Sequence, residues 1–282
     1  MIRLLLCTDL DRTLIPNGPQ PESSNARTCF RSLATKDEVT LVYVTGRHKA
    51  LVQEAIDDYQ LPQPGYVIAD VGSTIYKTNG NGWHHWEQWG LEISGQWHGK
   101  CHDDLHVMLK DIKDLELQER SKQNTHKLSY YVSLNVNHET LMRYVKDILD
   151  SQDIRANLVW SIDELENVGL LDILPANANK QHAIEFLMQE LNYNIDETIF
   201  AGDSGNDIAV MASPIHSVLV ANASEDVKKI AKLEAEKNDQ LESLYIAQGN
   251  YLNMNGNYSA GILEGVVHYI PEIENWIRCS DE

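Results

Sequence analysis

Two aspartates, Asp9 and Asp11, follow an apolar run at residues 2–7 that is typical of a short buried strand. Ligands of an open α/β sheet bind beyond the carboxyl ends of its strands, so both side chains are predicted to lie at such a site. Two carboxylates held close together repel each other, and one takes a proton unless a cation lies between them. The pattern therefore favours Asp9 as a nucleophile and Asp11 as a general acid and base, with a metal ion beside them. The alternative is a strand that ends in an aspartate-rich turn.

Three later residues have the chemistry that a phosphate group needs. Thr45 and Gly46 follow an apolar, β-branched run, and Lys180 begins an amphipathic helix. The Thr45 hydroxyl and the Gly46 backbone N–H can donate hydrogen bonds to phosphate, and Lys180 supplies a positive charge. Phosphoryl transfer depends mainly on such positioning and electrostatic stabilisation. The alternative for Lys180 is an ordinary lysine in the first turn of a helix.

The predicted metal ligands are four carboxylates: Asp9, Asp11, Asp203 and Asp207. Carboxylate oxygens are the ligands that Mg²⁺ prefers, so Mg²⁺ is the expected cofactor. Asp9 would attack phosphorus and form an aspartyl-phosphate, which divides one difficult step into two. Asp11 would protonate the leaving alcohol and then activate water.

In this order, four stretches resemble the motifs of the haloacid dehalogenase-like phosphatases. They are Asp9–Thr13, Val44–Arg47, Lys180 and Gly202–Asp207. The resemblance implies that the nucleophile, acid/base, phosphate and metal roles of that family fall on the residues already named. Arg12 departs from the pattern, because the family has a small or polar residue at this position.

Alternating strand and helix patterns predict an α/β fold whose core is a doubly wound parallel sheet of the Rossmann-like type. Strands are expected at 39–44 and 66–69, and the last helix at 259–269. The predicted core comprises residues 1–80 and 175–282, and an α+β cap of residues 81–174 is inserted between its halves. An insertion at this point resembles the type-two cap class, which handles sugar phosphates.

Outside the motifs, the chain is similar to the sucrose-6-phosphate phosphatase family. The segments that carry this similarity are Val71–Tyr76, Lys127–Tyr130, Asp172–Pro175 and Ser259–Glu264. The resemblance implies hydrolysis of a disaccharide phosphate, with sucrose 6-phosphate first and mannosylfructose phosphate as an alternative. It also implies a glycosyltransferase, sucrose-phosphate synthase, as the partner that supplies the substrate. An alternative of another class is a non-catalytic protein that binds a sugar phosphate or the synthase and regulates it.

Three residues are the expected sugar contacts: Lys127 and Asn124 in the cap, and Asn206 in the fourth motif. Residues 127–136 alternate between polar and apolar side chains, which predicts a half-buried strand of an antiparallel sheet. The alternative for Lys127 is a solvated lysine on the open face of that sheet, since most lysines are exposed.

Composition excludes several partners. The chain has 282 residues, 43% hydrophobic content and a formal net charge of -19, so nucleic acid and anionic membrane surfaces are poor partners. No apolar stretch approaches the ~18 residues that a membrane helix needs, and we expect no signal peptide. The four cysteines show no close pairing, which predicts reduced thiols and a cytoplasmic location.

The cap segment contains one further group of metal-ligand residue types. One helix is predicted at about residues 95–112, and His98, Cys101 and His102 would share its face. A structural zinc site needs four ligands at spacings that are absent here. Packing against the tryptophans of the same segment is therefore the favoured interpretation, and zinc is the alternative.

Overall fold

The structure of the protein is a computed structural model that describes residues 2–80, 82–163 and 166–279. Its strands, in chain order, are β1 Leu4–Thr8, β2 Val39–Val44, β3 Tyr66–Ala69, β4 Thr74–Asn79, β5 Gly82–His85, β6 Glu116–Leu117, β7 Leu128–Val132, β8 Ala156–Asp163, β9 Val168–Pro175, β10 Thr198–Gly202, β11 His216–Leu219 and β12 Leu244–Ile246. Its α-helices are α1 Ala26–Ala34, α2 Lys49–Tyr59, α3 Glu87–Ser94, α4 His102–Leu109, α5 His138–Ser151, α6 Lys180–Leu191, α7 Ile208–Met211, α8 Glu225–Lys237 and α9 Ser259–Tyr269. Within the described residues, no helix is both long enough and apolar enough to cross a bilayer.

Eight strands of the described chain form one sheet, in the order β12-β11-β10-β1-β2-β3-β4-β5. Neighbouring strands from β12 to β3 are parallel, whereas β4 and β5 pair antiparallel. Helices α1, α2 and α9 contribute to the buried cluster on one face, and α3, α6, α7 and α8 to the cluster on the other. All five residues of β1 are buried because β1 lies between these two layers. The predicted doubly wound α/β core is confirmed.

A second, antiparallel sheet has the order β6-β7-β9-β8. Leu128 and Tyr130 on one face of β7 pack with Leu105 of α4 and Val145 of α5 in a separate buried cluster. This sheet and its helices are the α+β part of the predicted fold. On the opposite face, Lys127 and Ser129 are buried and Tyr131 is partly buried, whereas Ser133 and Asn135 beyond the strand are exposed, so the solvent exposure predicted for this face is found only at its far end.

The segment between the two sheets belongs structurally to the larger one. Strand β5 pairs with β4 at the edge of the eight-stranded sheet, although residues 82–85 lie in the range predicted for the cap. In α3, Trp89 and Ile93 are buried in the same cluster as residues of α6. We therefore propose that the cap begins after α3. The rest of the predicted domain division stays a prediction.

The single helix predicted at 95–112 is wrong. The structure has a short 3₁₀ turn at Gly95–Trp97, then α4 from His102. His98 and Gly99 between them adopt left-handed conformations, with φ of 50° and 76°. Left-handed residues cannot continue a right-handed helix, so the chain turns before α4 begins.

The prediction that all cysteines are reduced is also wrong. Cys29 of α1 forms a disulfide with Cys279, and among the described cysteines Cys7 and Cys101 are free. The bonded pair is 250 residues apart in sequence, so spacing gave no sign of it. The segment before Cys279 lies on α1, where the Ser32 hydroxyl donates to the carbonyl of Trp276 at 3.1 Å. The cysteines therefore no longer support a cytoplasmic location, which stays a prediction.

Candidate active site

The predicted site residues meet at the carboxyl edge of the eight-stranded sheet. Asp9 follows β1, Thr45 follows β2 and Asp203 follows β10, and β1 pairs with both other strands. The N–H of Asp9 extends the ladder by donating to the carbonyl of Ala201 at 2.9 Å. Because parallel strands end on the same side, side chains far apart in sequence converge there.

Asp9, Asp203 and Asp207 form an acidic cluster. Among the described residues, their carboxylate oxygens lie within 4.8 Å of one another, and all three side chains are buried. Burial raises the pKa of Asp9 to about 8. The positive charge of Lys180 opposes this rise, and the neighbouring carboxylates add to it. Burial and the charge of Asp207 raise the pKa of Asp203 to about 6. A cluster of hard oxygen donors whose mutual repulsion a cation would relieve fits Mg²⁺.

Asp207 is the most constrained member of this cluster. One of its oxygens accepts from Lys180, and the other accepts from the backbone N–H groups of Asp203 and Ser204, both at 3.1 Å. A Cβ at Gly202 would lie only 2.5 Å from the Asp207 carboxylate, so a glycine is required there. Asp207 therefore organises the loop after β10 as well as offering an oxygen to a cation.

Lys180 lies between two carboxylates at the start of α6. Its Nζ is 3.3 Å from Asp9 and 2.6 Å from Asp207, and the side chain is buried. Burial lowers the pKa of Lys180, but the two carboxylates outweigh burial and raise it above its usual value. The second Asp9 oxygen accepts from the N–H of Leu10 at 2.8 Å, so the nucleophile candidate is held at both oxygens. Burial between two carboxylates favours the predicted role over that of an ordinary first-turn lysine.

Asp11 lies apart from the acidic cluster. Arg47 binds its carboxylate through two nitrogens at 2.7 and 2.8 Å, and Asn17 donates to it at 2.7 Å. Burial favours the neutral acid, but the hydrogen bonds and charge of Arg47, with the bond from Asn17, hold the pKa of Asp11 below its usual value. This arrangement does not support the predicted role of the Asp11 carboxylate as a metal ligand.

Thr45 and Gly46 lie where a phosphate site was predicted. Thr45 is buried, and its hydroxyl oxygen accepts from the N–H of Arg47 at 3.2 Å, which leaves the hydroxyl proton for another acceptor. Gly46 is exposed, and a Cβ there would only touch Val71 at 3.8 Å. Packing therefore does not explain this glycine.

Arg12 adds a positive charge beside the acidic cluster. Its Nε is 3.5 Å from Asp203, and the hydroxyl of Thr13 donates to the same carboxylate at 3.3 Å. Arg12 has a left-handed φ of 59°, and its N–H donates to Asn17 while its carbonyl accepts from Asn222. The unusual residue of the first motif thus contacts a predicted metal ligand directly.

The expected sugar contacts fall into two groups. Lys127 is only 6% exposed, and its Nζ lies 3.6 Å from both Asp70 and Asp172, so the solvated-lysine alternative is wrong. The Asn124 amide joins cap to core by donating to the hydroxyls of Ser73 and Thr74 at 3.2 and 3.1 Å.

Asn206 differs from these two residues. It is exposed, and its side chain accepts from the Ser204 hydroxyl at 2.9 Å. Lys127 and Asn124 therefore reach the boundary between cap and core, whereas Asn206 stays in its own loop.

Sequence reasoning missed three residues that hold predicted site residues in place. Arg47 and Asn17 bind Asp11, and Asp70 pairs with Lys127. Arg47 stands beside Gly46 in the second motif, and a positive charge at the strand end that was predicted to lie near Asp11 was a usable signal for this pairing. Asn17 lies in a loop rich in proline and glycine, and Asp70 follows an apolar strand. Neither residue type indicates its partner, although Asn17 lies near Asp11 in the sequence, whereas Asp70 and Lys127 are far apart.

The zinc alternative gains little from the structure. Among the described residues, Cys101, His102 and Asp103 offer ligand atoms within 4.8 Å of one another. His98, however, pairs with Asp153 at 3.2 Å, and Asp103 is exposed. The three predicted residues do not share a helix face, since α4 begins only at His102.

Comparison with known proteins assigns the chain to a family. A family model described as sucrose-6F-phosphate phosphohydrolase matches residues 2–270. The chain belongs to this family. Membership agrees with the geometry of the site and makes the chain a phosphoric monoester hydrolase of the haloacid dehalogenase-like fold.

Three similar proteins illustrate this sucrose-6F-phosphate phosphohydrolase membership. A Nitrosococcus oceani protein, provisionally named a HAD-like hydrolase, is 48% identical over 99% of this chain and 75% of its own length. Sucrose-phosphatase 2 of Nicotiana tabacum is 26% identical over 94% of this chain, which spans 59% of the tobacco protein. The crystal structure of the Synechocystis sucrose-phosphatase, in complex with sucrose and phosphate, superposes with a TM-score of 0.71. It is 25% identical and is matched over 95% of this chain and 98% of its own.

Proposed function

We propose that this protein is a Mg²⁺-dependent phosphatase that hydrolyses a disaccharide phosphate, with sucrose 6-phosphate as the first candidate. The observation that carries the proposal is the placement of Lys180 between Asp9 and Asp207, beside the buried acidic cluster. A fixed ammonium next to a carboxylate nucleophile is suited to a dianionic phosphate ester. Membership of the family and the buried Lys127 at the cap boundary support a sugar on the other side of the ester.

In the first step, an Asp9 oxygen attacks phosphorus while the bond from phosphorus to the sugar oxygen breaks. The alcohol leaves as it takes a proton from Asp11, which has left Arg47 and taken up that proton from solvent, and Asp9 becomes an aspartyl-phosphate. Lys180, Thr45 and Gly46 bind the phosphoryl oxygens, so the negative charge of the transition state meets fixed donors.

In the second step, water attacks the aspartyl-phosphate and gives a proton to Asp11. The bond from phosphorus to Asp9 breaks, which releases phosphate and restores the free carboxylate. Asp11 must turn away from Arg47 to reach the leaving oxygen or the water, because Arg47 and Asn17 engage its carboxylate.

Asp9, Asp203 and Asp207 would hold the Mg²⁺ ion, since their oxygens are the donors this hard cation prefers. The bound ion supplies charge neutralisation for the approach of an anionic ester to an anionic nucleophile. Without the ion, the three carboxylates of the cluster have one positive charge at their centre, the ammonium of Lys180. The Arg12 guanidinium lies at the edge of the cluster, beside Asp203.

Lys127 and Asn124 are the proposed sugar contacts in the cap, and Asn206 is the proposed contact in the core. A glycosyltransferase such as sucrose-phosphate synthase is the proposed source of the substrate. Disaccharide hydroxyls are both donors and acceptors, so an ammonium and two amides are suitable groups to bind them.

Phosphate release from a panel of phosphorylated disaccharides, with and without Mg²⁺, tests the proposal. The panel contains sucrose 6-phosphate and mannosylfructose phosphate, with p-nitrophenyl phosphate as a small ester and Asp9→Asn as the inactive control. We expect Mg²⁺-dependent release from a disaccharide phosphate at a rate far above that of Asp9→Asn. A wild type as inactive as the control on every ester would instead support the non-catalytic binding protein.

A further inference from the structure

A buried group of charges joins the cap to the core. The Lys127 ammonium lies 3.6 Å from the carboxylates of Asp70, in the core, and Asp172, on β9 of the cap. Both Lys127 and Asp70 are nearly inaccessible, and Asp172 also accepts from the Ser129 hydroxyl at 2.5 Å. The Lys127 ammonium thus pairs with one acid from each side of the boundary between cap and core.

Asp70 reaches this position through an unusual backbone. Asp70, Val71 and Gly72 all have left-handed conformations, with φ of 53°, 59° and 98°. Such conformations are costly for residues with a Cβ, especially for a β-branched valine. Three in succession indicate that the surrounding contacts fix this turn.

The turn at residues 70–72 contacts both phosphate-binding stretches. The N–H of Asp70 donates to the carbonyl of Arg47, and the N–H of Val71 to the carbonyl of Thr45. A Cβ at Gly72 would lie 2.9 Å from the backbone nitrogen of Lys180 and closer still to Asn179. The residue that pairs with Lys127 therefore belongs to the same rigid turn that packs against Thr45 and Lys180.

The negative charge of Asp70 is not needed to build the turn. Asparagine tolerates the left-handed conformation at least as well as aspartate, and its amide can keep a hydrogen bond to Thr74. Burial and the nearby charge of Asp172 raise the pKa of Asp70, against the opposing effect of Lys127, so a carboxylate is costly here. Asp172 alone would already neutralise Lys127.

We propose that Asp70 is a positioning residue that fixes the Lys127 ammonium relative to Thr45 and Lys180, so that the sugar contact and the phosphate site keep a defined separation. The inference rests on the proposed function, because it needs Lys127 to contact the sugar. Asp172 holds the lysine within the cap, whereas Asp70 ties it to the core. A disaccharide phosphate spans both sites, while a small aryl phosphate uses only one.

The test compares Asp70→Asn with wild type on sucrose 6-phosphate and p-nitrophenyl phosphate. We expect kcat/KM for sucrose 6-phosphate to fall about tenfold, mainly through KM, since the ion pair that fixes the Lys127 ammonium relative to the phosphate site is lost. With p-nitrophenyl phosphate, kcat/KM should stay within about twofold, because that ester has no sugar to align. The unfolding temperature should not fall, because the variant loses a buried charge and keeps its shape.

A double-mutant cycle with Lys127→Met separates positioning from a general effect. In the Lys127→Met background, Asp70→Asn should lower kcat/KM for sucrose 6-phosphate little further, because Asp70 acts through the lysine. Glu264→Gln is the matched control. Glu264 is a buried acid that accepts from the N–H groups of Gln248 and Gly249, and its loss should lower stability without changing the ratio of the two activities.

Three results would overturn the inference and leave Asp70 a structural residue. They are an equal loss of kcat/KM on both esters, an additive double-mutant cycle, or a lowered unfolding temperature with an unchanged ratio of the two activities. If wild type hydrolyses sucrose 6-phosphate and Asp70→Asn matches it, only this inference fails. If wild type hydrolyses p-nitrophenyl phosphate but no disaccharide phosphate, the proposed substrate class fails and the inference falls with it.

Discussion

Arg47 and Asp11 form a bidentate ion pair, with nitrogen–oxygen distances of 2.7 and 2.8 Å. Paired carboxylate and guanidinium groups of this geometry are among the stronger hydrogen-bonded contacts in proteins. The pair keeps the proposed acid/base ionised and turned away from Asp9 and its neighbours. Arg47 therefore sets both the orientation and the acidity of Asp11 before substrate binds.

Replacement of Arg47 with glutamine should change the pH dependence of the reaction. The pKa of Asp11 is held down mainly by Arg47, so Arg47→Gln lets it rise, and Asp11 stays protonated to higher pH. For a sugar phosphate, whose alcohol needs a proton to leave, the descending limb of kcat/KM against pH should move up by about one pH unit. p-Nitrophenyl phosphate has a good leaving group and serves as the internal control. A limb that stays in place for the sugar phosphate would contradict the assignment of Asp11.

Magnesium binding to the metal-free protein should release protons. The pKa of Asp9 is raised to about 8 and that of Asp203 to about 6, so the metal-free folded state binds more protons than the unfolded chain between their ordinary and raised values. Its free energy of unfolding therefore falls as pH rises through that window. A cation that needs both groups ionised should bind more tightly at pH 8 than at pH 6, and raise the unfolding temperature more at pH 8.

Calorimetric titrations in two buffers with different ionisation enthalpies measure this proton release directly. Asp9→Asn removes the group with the highest of these pKa values, so it should release fewer protons. Mg²⁺ affinity that is independent of pH between 6 and 8 would be inconsistent with a site built from Asp9 and Asp203.

Removal of the Lys180 charge should harm both stability and catalysis. Lys180→Met leaves Asp9 and Asp207 buried without their shared ammonium, which should cost about 3–5 kcal/mol of unfolding free energy in the absence of metal. Mg²⁺ should restore part of this stability, but kcat should stay about 10²- to 10³-fold below wild type.

Lys228→Met provides the comparison for denaturant unfolding and turnover. Among the residues that the structure describes, Lys228 has an ion pair only with the exposed Glu225 on α8, so its loss should change stability by less than about 1 kcal/mol. Similar effects of the two substitutions would mean that Lys180 is an ordinary helix lysine.

Reduction of the Cys29–Cys279 disulfide should lower stability. The bond closes a loop with a sequence separation of 250, and loss of such a cross-link typically costs about 2–5 kcal/mol. Cys279→Ser should have the same effect as a reductant, which should then have no further effect on the variant. Cys101→Ser, at a free cysteine, is the control for thiol chemistry. Equal unfolding temperatures with and without reductant would rule out a stabilising disulfide.

The core was predictable because its signals are local and repeated. Strands β2 and β3 and helix α9 have the predicted bounds, since each is an apolar run or period that ends at a polar or turn residue. Asp9, Thr45 and Asp203 could be placed together before any coordinates, because parallel strands end on one side of a sheet. The cap was less predictable, and left-handed residues at 98 and 99 interrupt the helix predicted at 95–112.

The sequence by itself determined the fold class, the order of the four motifs and which side chains stand at the carboxyl edge of the sheet. Only the tertiary structure decided that Arg47 holds Asp11, that Asp70 and Asp172 bury Lys127, and that Cys29 bonds Cys279. Periodicity specifies the face on which a side chain lies, but not the partner that meets it there. That partner comes from a segment tens to hundreds of residues away, and it is chosen by the packing of whole elements.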